Sequence, residues 1–296
     1  MLLRHIRYLL AVAEQRNFTR AAEALHVSQP TLSQQIRQLE DSLGAALFDR
    51  SGRSIRLTDA GEAYVRFARL ALQDLEAGKR AMHDVQDLSR GSLRLAMTPT
   101  FTAYLIAPLL HRFNSLYPGI TLGVEEMTQD RLEAALAEDR LDIGIGFTGM
   151  HLADIEGEAL FSETLSLMVG ATHPQAGSKT LGARDLEQQA LVLLSRDFAT
   201  RQHIDLYCRQ HGIAPRIAIE ANSISAIVEL VRRGQLATIL PAAIAVEQPG
   251  LASLELTPAL PRRTVALLSR RGAWRSAACQ AFAALARQPL GNVLNK

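Results

Sequence analysis

The chain has 296 residues, 48% of them hydrophobic and 21% charged, with a net charge of +2; this length predicts two or three folded units, and the composition excludes a disordered tail. Its two cysteines, Cys208 and Cys279, exclude a disulfide framework or a structural zinc site and imply reduced thiols. Arg4, His5 and Arg7 interrupt the apolar N-terminus, and no uninterrupted apolar run reaches the roughly 18 residues of a membrane span, so a cytoplasmic, soluble protein with no membrane partner is expected.

Leu2, Ile6, Leu9, Leu10 and Ala13 recur at helical spacing and predict a first amphipathic helix from Leu2 to Gln15. A second short helix is expected over Thr19 to Leu25 and a third over Gln29 to Leu43, with His26 and Val27 as the turn. Ser28 is the N-cap of the third, and Pro30 sits just inside its start, where a missing N–H costs little. Two short helices about a tight turn form the helix-turn-helix arrangement that lays one helix in a major groove. Ala21, Ala22, Leu25, Val27, Leu32, Ile36 and Leu39 supply buried faces. Ser28, Gln29, Pro30, Thr31, Ser33, Gln34 and Arg37 are left for DNA, with Thr31 and Gln34 as base readers because Gln reaches adenine bidentately and Thr offers a methyl to thymine. The alternative is a generic small helical bundle.

After Gly44, residues 46–58 read as a two-stranded wing, with Ile55 and Leu57 alternating with Arg56. Arg50, Arg53 and Arg56 can neutralise phosphates or enter a minor groove; the bland reading is a solvated hairpin. Thr58 or Asp59 then caps a helix running to about Leu88. Tyr64, Ala71, Gly78 and Val85 at one heptad position, and Ala68, Leu75, Met82 and Ser89 at the other, describe an imperfect coiled-coil seam and a dimer. A solitary helix packed on its own domain is the competing reading.

From Ser92 strands and helices alternate: Leu93 to Met97, Tyr104 to Tyr117, Ile120 to Glu126, Gln129 to Glu138 and Leu141 to Phe147. A second set follows: Leu191 to Leu194, Ala199 to His211, Arg216 to Glu220, Ser223 to Arg233 and Leu236 to Leu240. The expectation is a parallel-sheet α/β half in two lobes. The expected division is residues 1–58 as the winged helix-turn-helix, 59–90 as the linker helix, and 91–296 as the effector domain. Its first lobe covers about 91–162 and 266–296, and its second about 163–265. Open α/β sheets bind ligands beyond the carboxyl ends of their strands. Thr98, Pro99 and Thr100 follow the first strand, Phe147 closes another, and Ser195 and Thr200 mark the matching turn in the second lobe, with Asn222 nearby. These are the candidate effector residues; ordinary helix capping competes for Thr98, Thr100, Thr200 and Asn222. Helix starts at both places suit a small anion.

Phe18-Thr19-x-Ala21-Ala22, Ser28-Gln29-Pro30-x-Leu32-Ser33, Leu43-Gly44, Leu47-Phe48-x-Arg50 and Leu57-Thr58-x-x-Gly61 resemble the LysR-type transcriptional regulators over essentially the whole chain. The resemblance implies a fold that is α/β with an all-α winged helix-turn-helix N-terminal domain and a two-lobed C-terminal sensor domain similar to periplasmic binding proteins. It further implies an effector in the interlobe cleft, double-stranded promoter DNA and RNA polymerase as partners, a homodimer or homotetramer, no cofactor, and activation coupled to self-repression. The stretches 98–102, 195–201 and 219–226 are similar to regulators of bacterial cyanate-degradation operons, which makes cyanate the expected effector; amino-acid or aromatic-acid metabolism is the alternative. Asp142, Glu125, Glu126 and Ser195 lack the spacing of an acid-base or nucleophilic site, and no phosphate-binding glycine motif stands in a strand-helix context, so an enzyme is not expected. A solute-binding protein is disfavoured by the DNA-reading half. His203 and Cys208 point apart on one helix and do not suggest a metal.

Overall fold

The computed structural model describes residues 3–51, 55–83, 88–149 and 151–288. It divides into two compact units, residues 1–82 and 83–296. In the first, α1 (Leu3–Gln15), α2 (Phe18–Ala24) and α3 (Gln29–Leu43) close around Leu9, Val12, Ala21, Leu32, Ile36 and Leu39, all fully buried. Local chemistry sets each boundary. Asn17 accepts the N–H groups of Thr19 and Arg20, Ser28 accepts that of Thr31, and Gly44 ends α3 in the left-handed region at φ 67°. The wing is β1 (Phe48–Asp49) paired antiparallel with β2 (Arg56–Leu57).

Helix α4 (Asp59–His83) packs Val65 and Ala68 into this core, with Tyr64 and Leu72 beside them. That corrects the expected seam: Tyr64 and Ala68 serve their own domain, whereas Phe67 and Leu75 stand exposed. Val85 lies outside the described residues, and Leu88 to Arg90 are a bend, with Leu88 at φ 60°, so the helix does not reach Leu88.

The second unit holds two sheets. One has the order β4-β3-β5-β13-β6, from β3 (Gly91–Met97), β4 (Ile120–Glu126), β5 (Ile143–Phe147), β6 (Ile155–Glu163) and β13 (Arg263–Arg270). The other has the order β10-β9-β11-β7-β12-β8, from β7 (Leu165–Gly170), β8 (Thr180–Gly182), β9 (Ala190–Leu194), β10 (Arg216–Ala221), β11 (Ala237–Pro241) and β12 (Leu251–Thr257). Helices α5 (Ile106–Leu116), α6 (Gln129–Ala137), α7 (Ala199–His211), α8 (Ile224–Arg233), α9 (Ala242–Glu247) and α10 (Ala277–Ala286) complete the two lobes. Both sheets are mixed and not parallel as expected: β13 runs antiparallel to β5 and β6, and β7 antiparallel to β11 and β12. Those returning strands are buried on both faces, so their periodicity carries no direction. The chain passes between lobes twice, from β6 into β7 through Thr164 and from β12 back into β13.

Candidate functional site

Two places bring the expected functional residues together. In the first unit, Gln29, Pro30, Thr31, Gln34 and Arg37 are exposed along α3, and Ser33 is half-buried. Ser28 is committed to the cap, and its hydroxyl also bonds to that of Thr31 at 2.7 Å, which fixes the Thr31 side chain at the start of the helix. Gln34 is exposed on the same helix, off the core-facing row Leu32, Ile36 and Leu39.

The wing arginines differ. Arg56 is exposed; Arg50 donates to Glu40 at 2.8 Å and lies 5.2 Å from the Phe18 ring centroid. Glu40 also accepts the backbone N–H groups of Leu47 and Phe48, so Arg50 fastens the wing to α3. Arg53 lies outside the described residues. Gly61 has a steric reason: a Cβ there would stand 2.0 Å from the Leu47 carbonyl oxygen, so only glycine lets α4 press onto the wing.

In the second unit a cavity of about 260 Å³ opens where the two lobes meet, lined by Gln129, Phe147 and Thr148 from one, by Asp197, Ala199 and Gln202 from the other, and by Arg263 at the crossover. Gln129 holds the end of β5, since its side chain both accepts from the Phe147 N–H and donates to the Phe147 carbonyl, each at 3.1 Å. A Cβ on Gly146 would come within 2.5 Å of that Gln129 oxygen, which accounts for glycine there. Buried Glu133 accepts from the N–H groups of His151 and Leu152 and so fixes the loop beyond Phe147.

Arg263, only 9% exposed, forms part of the cavity wall. Its Nε donates to Glu163, its Nη1 donates to the Thr200 hydroxyl at 2.9 Å, and its guanidinium carbon lies 4.0 Å from the Phe147 ring centroid. Tyr104 donates its hydroxyl to the other oxygen of Glu163. Burial and the Glu163 charge push the Tyr104 pKa far up, so the phenol stays a neutral donor. Burial pulls the Arg263 pKa down against the pull of Glu163, and arginine nonetheless remains charged in proteins. Its Nη2 has no hydrogen-bond partner and is buried.

The predicted effector residues take different places. Phe147 lines the cavity and Thr200 holds Arg263. Thr98, Pro99 and Thr100 are buried in a single 3-10 turn (Pro99–Ala103), not the first turn of a long helix; α5 begins only at Ile106. Neither threonine hydroxyl has a hydrogen-bond partner, so Thr98 does not cap. Ser195 is half-buried in the turn before α7, and Asn222 is exposed. Arg201, fully buried, is consumed by the Leu194 carbonyl, Glu220 and Asp205, at 2.7–2.9 Å. Sequence reasoning missed Arg263, Glu163, Tyr104 and Gln129. The one local signal was an arginine at the mouth of the apolar strand Thr264–Ser269.

Among the described residues no group of His, Cys, Asp and Glu is placed to hold a metal ion, and no helix is long and apolar enough to cross a membrane. The family profile described as "Bacterial regulatory helix-turn-helix protein, lysR family" matches residues 3–62, and that described as "LysR substrate binding domain" matches residues 86–290. The chain belongs to the LysR family of DNA-binding transcriptional regulators.

This is a family of regulators and not of enzymes. The chain is 34% identical to a hydrogen peroxide-inducible genes activator of Pectobacterium carotovorum, over 92% of this chain and 91% of that one. It is 30% identical to a RuBisCO operon transcriptional regulator of Allochromatium vinosum, over 95% and 93%. Among solved structures it resembles a cysteine-to-aspartate variant of full-length OxyR from Pseudomonas aeruginosa (TM-score 0.65, 28% identity, 97% and 93% coverage). It also resembles full-length CbnR complexed with target DNA (TM-score 0.57, 28% identity, 97% and 99% coverage). None of these is described as a cyanate-operon regulator, so the resemblance supports the LysR family and does not extend to that subgroup.

Proposed function

We propose that this LysR-type regulator reads promoter DNA with the exposed face of α3, anchors on phosphates through Arg56 and the rest of the wing, and responds to a small molecule bound in the cavity between its sensor lobes. The observation that carries this reading is the pairing, in one chain, of a capped reader helix with an interlobe cavity walled by a buried, incompletely satisfied cation. The exposed Phe67 and Leu75 on α4 support a homodimer or homotetramer as the binding species. Activation of a neighbouring operon through RNA polymerase, with repression of the regulator's own gene, completes the proposal.

The relatives that respond to hydrogen peroxide raise a second possibility, a thiol sensor, and the cysteines oppose it. Cys208 and Cys279 are 4% and 1% exposed, and burial raises both thiol pKa values, that of Cys279 to about 11. Reactive sensor thiols need the reverse, exposure and a lowered pKa. The effector is therefore read by non-covalent binding. Footprinting of the promoter beside its gene, with and without candidate small molecules, tests the reading: a footprint whose extent or bend changes with one compound supports it, and the absence of any specific footprint contradicts it.

A further inference from the structure

His5 on α1 and Gln35 and Gln38 on α3 form one hydrogen-bonded row. His5 is buried, next to Ile6 and one turn before Leu9, which share a core with Leu32, Ile36 and Leu39 of α3. Its Nε2 lies 3.0 Å from Gln35 Oε1, and Gln35 Nε2 donates to Gln38 Oε1 at 2.9 Å. The row therefore has a direction. Gln35 presents an oxygen, which has no hydrogen to give, so the imidazole Nε2 carries the proton and donates. Gln35 then spends its amide nitrogen on Gln38, and the Gln38 amide turns its oxygen toward Gln35 and its NH2 group, a pair of donors, away from it. Gln38 is exposed, and it follows Thr31 and Gln34 along one strip of α3, apart from the buried row Leu32, Ile36 and Leu39. A surface glutamine ordinarily samples many rotamers and both amide orientations; here a buried side chain of a neighbouring helix selects one.

We propose that Gln38 is a further sequence-reading residue and that His5 is its positioning residue, acting through Gln35. This rests on α3 being the helix that reads the major groove. From Gln34 to Gln38 the helix advances about 6 Å at about 1.5 Å per residue. On a groove whose base pairs are about 3.4 Å apart, Gln38 meets an edge roughly two base pairs from the one that Gln34 meets. With its donors outward, Gln38 fits an acceptor edge, guanine N7 and O6 or thymine O4. It loses the bidentate pairing with adenine, which needs the amide oxygen and nitrogen together. Gln34 is not part of the row, so its amide can still turn to pair with adenine. Two glutamines one turn apart are thereby given different bases to read.

The test measures fluorescence anisotropy of the full-length protein on its promoter and on single-base variants of the footprint. Gln38→Ala, an exposed truncation that leaves the core intact, is expected to lose about threefold to tenfold in discrimination at one guanine or thymine, with the base pair of Gln34 still read. His5→Phe keeps a ring but no donor, and is expected to lose discrimination at that same base pair while reading the others as the wild type does. Combining it with Gln38→Ala adds no further loss. His5→Gln, whose amide nitrogen can donate in place of Nε2, restores the discrimination. Should His5→Phe fail to fold in a melt, Gln35→Met breaks the row without touching His5 and carries the same expectation. A histidine that only packs would instead weaken binding to every sequence alike. That uniform loss, additive losses in the double variant, a silent Gln38→Ala, or a Gln38 that favours adenine or cytosine overturns the proposal. Wild-type binding that ignores sequence overturns the reader-helix assignment on which it rests, whereas a silent Gln38→Ala beside a Gln34→Ala that loses its own base pair overturns this proposal alone.

Discussion

Arg263 and Glu163 are cross-strand partners at the point where both inter-lobe strands pass, and each is more than nine-tenths buried. A buried pair of this kind is weak evidence for stability, yet removing one partner strands the other's charge. Glu163→Ala is expected to destabilise the sensor unit by about 3–5 kcal/mol, lowering its thermal midpoint by roughly 6–20 °C at about 2–4 °C per kcal/mol for a unit of this size. Circular dichroism melts check this, and a loss below about 1 kcal/mol would show that the charge is compensated elsewhere.

Gly61 predicts a sharper effect in the other unit. With the Leu47 carbonyl 2.0 Å from an added Cβ, Gly61→Ala forces α4 off the wing. The expected cost is about 3 kcal/mol or more, seen as early melting of the DNA-binding unit and loss of promoter binding, with the melting of the sensor unit unchanged. Normal DNA affinity in this variant would refute the packing.

The thiols predict chemical silence. With a pKa of about 11 against an ordinary 9.0, Cys279 is thiolate in only about one molecule in a thousand at pH 8, so alkylation by iodoacetamide is slow and hydrogen peroxide leaves DNA binding unchanged. The raised folded-state pKa means that its contribution to stability is complete below pH 9 and is lost as pH rises from about 9 to about 11. Mass spectrometry after timed alkylation, and melts across that pH range, measure both effects.

Much of this was legible in the sequence, and the reason differs by element. The strand Ile120–Glu126 and the helix Ala199–His211 carry their own period, and their bounds follow from it. Ser28 and Gly44 mark the ends of α3 because caps are local chemistry. The direction of β13 and the partners of Arg263 are not local: Glu163 is 100 residues away and Thr200 is 63. Arg50 shows the same gap on a smaller scale, an arginine that reads as a phosphate ligand until Glu40 and Phe18 are brought beside it.

That contrast separates the wing arginines experimentally. Arg56→Ala is expected to weaken all DNA alike and reduce the salt slope of binding by about one. Arg50→Ala is expected to destabilise the DNA-binding unit as well, by about 1 kcal/mol, through loss of its pair with Glu40 and its stacking on Phe18. Titrations across a salt series, paired with melts, distinguish them; identical behaviour of the two variants would remove the structural role assigned to Arg50.

The central claim, that α3 reads promoter sequence, is tested most directly by fluorescence anisotropy of the full-length protein on its promoter and on single-base variants, with Gln34→Ala alongside. The account predicts specific wild-type binding, and for Gln34→Ala a loss of about 1–3 kcal/mol confined to one base pair, where discrimination disappears. Specific binding that Gln34→Ala leaves intact at every position, or wild-type binding that ignores sequence altogether, would contradict it.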